Sequence, residues 1–259
     1  MPSELEVSSI ERQRALLDLI ERENRVSVNT ICEIFSISEA TARRDLESLS
    51  KEGRIQRVRG GAIKTEKSPP ELPILQRENE YAGEKDKIGR ATAELIKSNE
   101  TVFLGSGTTV LAVARYLQQF DNLSVLTNSL PIINLLIGSP GIKLIVLGGI
   151  LRSTELSFIG HITEKALNEV RADKVILGAR AISHEHGITN DYLDETLTDR
   201  AILKISQKVI LVADHSKFGS VSTAFLAPVE DIHVIVTDKE TDQEYINLFR
   251  EKGIETIIA

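Results

Sequence analysis

With one cysteine in 259 residues the chain cannot form an internal disulfide. Cys32, set among Val28, Ile31 and Phe35, reads as apolar helix filler. No apolar run approaches the ~18 residues of a membrane span. The polar, acidic stretch Met1–Ser9 lacks the basic segment and apolar core of a secretory leader, so no membrane partner and a cytoplasmic protein are expected. The histidines have no metal-ligand spacing: His184 and His186 share a loop without a third ligand, and His161, His215 and His233 are scattered. No metal or other cofactor is expected. Positive charge is also short, with a net charge of −7 that argues at first against a nucleic-acid partner. That average hides a segregated stretch: Arg54, Arg57, Arg59 and Lys64 fall together with no acidic residue from 54 to 64.

What is present is enough for a sizeable core, with 41% hydrophobic residues and no internal repeat. Between residues 10 and 64 there are three helical patterns. Ile10, Leu16, Leu17 and Ile20 recur at helical spacing; "SVNTICEIF" opens on Ser27 as N-cap; and a third helix runs from about Glu39 to Lys51 and stops before Gly53. "RIQRVRGGAIK" then reads as a two-strand hairpin turning near Gly60 and Gly61. "TEKSPPELP", with three prolines, marks a domain boundary. Beyond it, strands at 101–105, 123–126, 142–147, 173–178, 208–213, 232–236 and 254–258 alternate with helices. The strands are continuous apolar runs such as "KLIVLGG", as in a parallel sheet covered on both faces. The expected fold class is α/β. An N-terminal winged helix-turn-helix domain (1–64) is followed by a linker (65–83) and a Rossmann-like parallel-sheet domain (84–259).

On the third helix, Ala42, Leu46 and Leu49 share one face, while Ala40, Arg44 and Ser48 centre the opposite one, flanked by Thr41 and Arg43. Small residues and arginines near a helix start suit the DNA major groove, with Ser38 just ahead of them and Arg57 and Arg59 on a wing along the phosphates. The helix taken alone leaves a second reading open, a solvated charged face with Arg43 and Arg44 paired to Glu47 or Ser48. The motif "TARRDLESLSKEGRIQRVRGGA" resembles the N-terminal domain of the DeoR family of bacterial transcriptional regulators, whose signature runs approximately "TIRRDL…L…G…R.HGGA". Ala42 stands where isoleucine is common, and Arg59 where histidine is. The resemblance covers essentially the whole chain. It implies an operator-DNA partner and a homo-oligomer, with Ser38, Ala40, Thr41, Arg43, Arg44, Arg57 and Arg59 as the DNA-facing set.

"VFLGSGTTVLAVARYL" carries an apolar strand through a glycine turn into a helix. Ser106, Gly107, Thr108 and Thr109 would offer bare amides and hydroxyls to an anion. A plain βα turn with a threonine cap is the competing reading. Other strand ends converge there: Thr127 and Asn128 in "TNS", Arg152 after "GG", and Lys217 in "DHSKFG". These segments also resemble the DeoR effector domain, which shares a fold with ribose 5-phosphate isomerases. The resemblance implies a pocket for a phosphorylated sugar-type effector, adds Tyr192 and Glu195 as hydroxyl contacts, and makes a repressor of carbohydrate genes the expected function. The alternative is a sugar-phosphate isomerase fused to a DNA-binding module. It is disfavoured because "ILGARAIS" has no carboxylate where those enzymes carry an acidic stretch. Two positions depart from the family: Gly105 replaces an aspartate and Asp199 a lysine, and Gly105 is expected to leave room for a bulkier or more anionic ligand.

Overall fold

The computed structural model describes residues 9–65 and 71–259, apart from the side chain of Ile10. The apolar repeat of the first helix is therefore followed from Leu16 onward, and residues 66–70 of the expected linker lie outside the described residues. The chain divides into two compact units, Met1–Pro70 and Glu71–Ala259.

In the first unit, α1 (Ser9–Glu23) leads through β1 (Arg25–Ser27) to α2 (Val28–Phe35), α3 (Glu39–Lys51), β2 (Ile55–Val58) and β3 (Gly61–Lys64). Ser27 caps α2, its hydroxyl accepting the Thr30 amide at 3.1 Å, which satisfies one of the orphan donors of the first turn. Ser36, at φ 52, turns the chain into the left-handed region and ends α2. Ser38 then caps α3 on the Thr41 amide at 3.2 Å. Leu16, Ile20, Ile31, Ala42, Leu46 and Leu49 are each at most 1% exposed and form one core. Cys32 is half-buried and packs against it. The expected hairpin is in fact a three-strand sheet of order β1-β3-β2, because Arg25–Ser27 pairs antiparallel with Gly61–Ile63. The two glycines of "RGGA" serve different ends. Gly60 holds φ 82, while a Cβ on Gly61 would stand 2.1 Å from the Val26 carbonyl oxygen.

The second unit starts earlier than the expected linker allows. From Glu71 the chain belongs to it, with a short helix α4 (Ile74–Arg77) whose first amide donates to the Thr154 carbonyl at 2.8 Å. Pro73 stands at the N-cap, where a missing N–H costs nothing. Then follow α5 (Ala82–Ala93), β4 (Thr101–Leu104), α6 (Thr108–Leu117), β5 (Leu123–Thr127), α7 (Leu130–Leu136) and β6 (Ile142–Val146). After them come β7 (Ile150–Arg152), β8 (Ser157–Ile159), α8 (His161–Asn168), β9 (Lys174–Gly178), β10 (Ala181–Ser183), β11 (Gly187–Asn190) and α9 (Leu193–Leu203). The chain finishes with β12 (Val209–Val212), β13 (Ala224–Ala227), β14 (Val234–Thr237), α10 (Gln243–Glu251) and β15 (Glu255–Ile258).

The seven expected strands form a parallel sheet of order β15-β14-β12-β9-β4-β5-β6. Their residues alternate between two cores: Phe103, Val175, Leu177 and Leu211 face one side, and Val102, Leu104, Ile176 and Ile210 the other. This alternation under a two-sided cover is why the strands read as unbroken apolar runs. The fold is thus α/β, a winged helix-turn-helix followed by a Rossmann-like sheet. From β4 the sheet grows one way through β5 and β6, then the other way through β9, β12, β14 and β15. That reversal opens a crevice at the carboxyl ends of β4 and β9. The β7–β8 hairpin and the small sheet β10-β11-β13 escape sequence reading because strands of three or four residues are too short to carry a period. No helix among the described residues is long and apolar enough to cross a membrane.

Candidate functional site

In the first unit α3 buries Ala42, Leu46 and Leu49 and leaves Ala40, Arg43 and Arg44 exposed, with Thr41 half-buried. Arg57 and Arg59 are exposed beside the β2–β3 turn. Two residues of the expected DNA-facing set have structural duties as well: the hydroxyls of Ser38 and Thr41 are hydrogen-bonded to each other at 2.9 Å within the helix cap. Arg43 pairs one turn back, its Nε donating to Glu39 at 2.9 Å, and not with Glu47 or Ser48. Glu47 is held by Lys51 at 2.8 Å. On the buried side, Asp45 accepts from Arg12 Nε at 2.7 Å and from Gln13 at 3.2 Å, tying α3 to α1. No apolar period signals an acid there.

In the second unit the sheet reversal holds an open cleft. Ser106, Gly107, Thr108 and Thr109 from the loop after β4 line it together with Leu177–Arg180 from the end of β9. Gly107 is the N-cap of α6 at φ 110, a conformation L side chains rarely adopt, and no side chain caps the helix. The first amides of α6 and its positive dipole end are therefore open to an anion. Thr108 and Thr109 are each 7% exposed, and among the described residues their hydroxyls have no hydrogen-bond partner. Four cations line the same cleft: Arg77, Lys85, Arg180 and Lys217. Lys85 Nζ donates to the Arg77 carbonyl at 2.8 Å, and burial lowers its pKa to about 8, helped by Lys217 and Arg77 against Asp214 and Glu80.

A set of carboxylates is interleaved with these cations. Glu155 is bound by Arg77, while Arg152 is bound by both Glu71 and Glu195; Glu195 also accepts from Ser157 at 3.0 Å. Burial first, then Glu71 and Glu195, push the Glu155 carboxyl up to about 8, against Arg77 and Arg152. Burial likewise raises Glu195, and it raises Asp199 well above the carboxylate range with Glu195 and Glu155 adding to the effect. A carboxyl whose pKa is raised on folding favours the native state while both forms keep the proton. That contribution is lost as pH rises from the ordinary 4.5 through about 8. Calorimetry of the full chain should therefore show Glu155→Gln losing less melting temperature than wild type over this range. Parallel curves would mean that Glu155 is ionised throughout.

Of the expected ligand contacts, Ser106, Gly107, Thr108, Thr109, Glu195 and Lys217 meet in the cleft. Four do not line it. Thr127 donates to the Leu104 carbonyl at 2.7 Å, and Asn128 donates to that of Phe158 at 2.9 Å. Arg152 is committed to its two glutamates, and Tyr192 is an exposed ring 4.8 Å from the Arg152 guanidinium. The expectation that Gly105 leaves room for ligand is corrected, because a Cβ there would meet Leu177 Cδ2 at 2.5 Å. Asp199 does line the cleft, accepting from Asn190 at 2.9 Å. Of the residues missed by sequence reading, Arg77, Lys85 and Glu155 lie in segments with no motif, and Arg180 lies in "ILGARAIS", which sequence reading uses only for its lack of a carboxylate. The absence of a carboxylate holds for "ILGARAIS" alone, since Glu155, Asp191, Glu195 and Asp199 reach the cleft from elsewhere.

Residues 12–68 match the DeoR-like helix-turn-helix domain, and residues 80–239 match the DeoR C terminal sensor domain. The chain is 35% identical over 257 residues to the HTH-type transcriptional repressor GlcR of Bacillus subtilis, covering 96% of each chain. It is 35% identical to the transcriptional repressor AccR of Agrobacterium fabrum, covering 90% of this chain and 91% of AccR. It is 34% identical to the glycerol-3-phosphate regulon repressor of Escherichia coli, covering 88% of this chain and 90% of that one. Among solved structures, ribose 5-phosphate isomerase A of Neisseria gonorrhoeae aligns at 20% identity and a TM-score of 0.39, covering 52% of this chain and 53% of the enzyme. With a helix-turn-helix domain and a sensor domain of the same family in order along it, the chain belongs to the DeoR family of transcriptional regulators.

Proposed function

We infer that the chain is a repressor of carbohydrate-metabolism genes whose second unit binds a phosphorylated sugar-type effector and thereby changes the affinity of the first unit for operator DNA. The observation that carries the effector half is the uncapped start of α6, which opens into a cleft lined by four cations, with the Thr108 and Thr109 hydroxyls unpartnered among the described residues. For the DNA half, the exposed Ala40, Arg43 and Arg44 of α3 and the wing residues Arg57 and Arg59 support groove and backbone contact, with Ser38 and Thr41 at the helix start. The repressor names of the relatives support the direction of regulation. A helix-turn-helix reader uses repeated half-sites, so a homo-oligomer working in the bacterial cytoplasm completes the reading.

A thermal-shift panel of sugar phosphates against the same sugars without phosphate tests the effector. A ligand at a hundredfold its Kd adds about 2.7 kcal/mol to the native state, and it should also change mobility-shift affinity for the upstream region of the chain's own gene. The reading fails if no phosphorylated compound raises the melting temperature, or if one that does leaves DNA affinity unchanged. One observation favours a second reading, a sugar-phosphate isomerase: the raised carboxyls of Glu155, Glu195 and Asp199 share the cleft. Interconversion of pentose or hexose phosphates, abolished by Glu195→Gln, would establish it.

A further inference from the structure

Two contacts meet at Glu155. Its Oε1 lies 3.8 Å from where a Cβ on Gly107 would stand, which puts the carboxylate beside the uncapped start of α6. Its Oε2 is bound by Arg77 Nη2, a cation of the cleft wall. Once this carboxyl is ionised, as it is above about pH 8, the chain holds an anion of its own, with two acceptor oxygens, where a ligand's phosphate would be recognised. Sequence reading offers Arg152 and Lys217 as neutralising cations; Lys217 lines the cleft, but the Arg152 guanidinium is held by Glu71 and Glu195 and does not. Arg77 does, from a helix with no recognisable motif.

Resting on the phosphate reading above, we propose that Glu155 is a resident stand-in for the effector's phosphate, which binds by replacing the carboxylate on Arg77 at the Ser106–Thr109 loop. Arg77 is then the specificity-determining cation of the site. The groups facing Glu155 are Glu71 and Arg77 at the start of the unit, Arg152 from β7, and Glu195 and Asp199 from α9. A phosphate dianion entering among three further carboxylates takes Arg77 from Glu155 while Arg152 stays held by Glu71 and Glu195, so the Glu155 side chain takes up a proton as the ligand binds. Arg77 Nη2 is also 3.6 Å from Glu71 Oε1, and the second unit begins at Glu71, so the exchange alters the hold on that residue too.

The test is calorimetry of the full chain with inorganic phosphate, at about pH 8.5 where phosphate is dianionic, in two buffers of different ionisation heat that report proton uptake. Glu155→Gln should bind roughly tenfold tighter than wild type and take up fewer protons, and Arg77→Gln should bind at least about tenfold more weakly. Lys85 also gains proton occupancy near an anion, but it does so in both chains, so the difference between them isolates Glu155. If wild type binds phosphate while Glu155→Gln matches it in affinity and proton uptake, or Arg77→Gln binds as wild type does, the exchange is wrong and the phosphate reading stands. If neither wild type nor Glu155→Gln binds, both fall. Should circular dichroism show Arg77→Gln unfolded, the Glu155→Gln comparison decides.

Discussion

Gly61→Ala is expected to destabilise the first unit by about 3 kcal/mol or more, because the added methyl meets backbone that no rotamer change can move. Its Cβ would stand 2.1 Å from the Val26 carbonyl oxygen and 2.9 Å from the Ser27 Cα, within the β1–β3 pairing that closes the sheet over Ala62. A unit this small has a stability of only a few kcal/mol, so the loss is a large part of the whole. Thermal and urea unfolding should show an early transition for the first unit, and DNA binding should fall with it. Gly60→Ala is the control. Nothing lies within 4 Å of its Cβ, so only the positive φ of 82 is penalised, at about 1–2 kcal/mol. Equal effects at the two positions would show that β1 and β3 do not approach as closely as the register requires.

The second large effect is expected at Arg44→Ala, which should lower operator affinity by about tenfold to a hundredfold per half-site, the worth of one good arginine contact to a base edge. Arg44 is exposed on α3, with Ala42 and Leu46 buried beneath it, so the unit should keep its fold and its melting temperature. Arg57→Ala, on the wing, should instead weaken binding to all sequences alike and reduce the salt slope by about 1. Mobility shifts at several salt concentrations, on operator and on scrambled DNA, separate the two behaviours. An Arg44→Ala protein that discriminates operator as wild type does would remove α3 as the reader.

Local physics made much of the molecule legible without coordinates. Continuous apolar runs carry the seven parallel strands and a period-3.6 pattern the face of α3, and Ser27 caps its helix because a short hydroxyl beside a first turn has one best use. The glycine turn Ser106–Gly107 ahead of Thr108 is legible for the same reason, since strand, turn and helix start are consecutive in the chain. What sequence could not supply is the pairing of charges. Arg77 and Glu155 are 78 positions apart, and Arg152 and Glu195 are 43 apart. Which arginine meets which acid depends on how α4, the β7–β8 hairpin and α9 converge on the sheet reversal. The same distinction explains Gly105: the sequence reveals that its side chain is missing, and only the packing of β9 shows that Leu177 already fills the space. By itself the sequence determined the seven parallel strands, the family and the glycine turn ahead of α6, because each is written in neighbouring residues. Tertiary structure decided that Arg77 pairs with Glu155 in the cleft the loop lines, because burial and Coulomb terms between distant segments exist only once the sheet has brought them together.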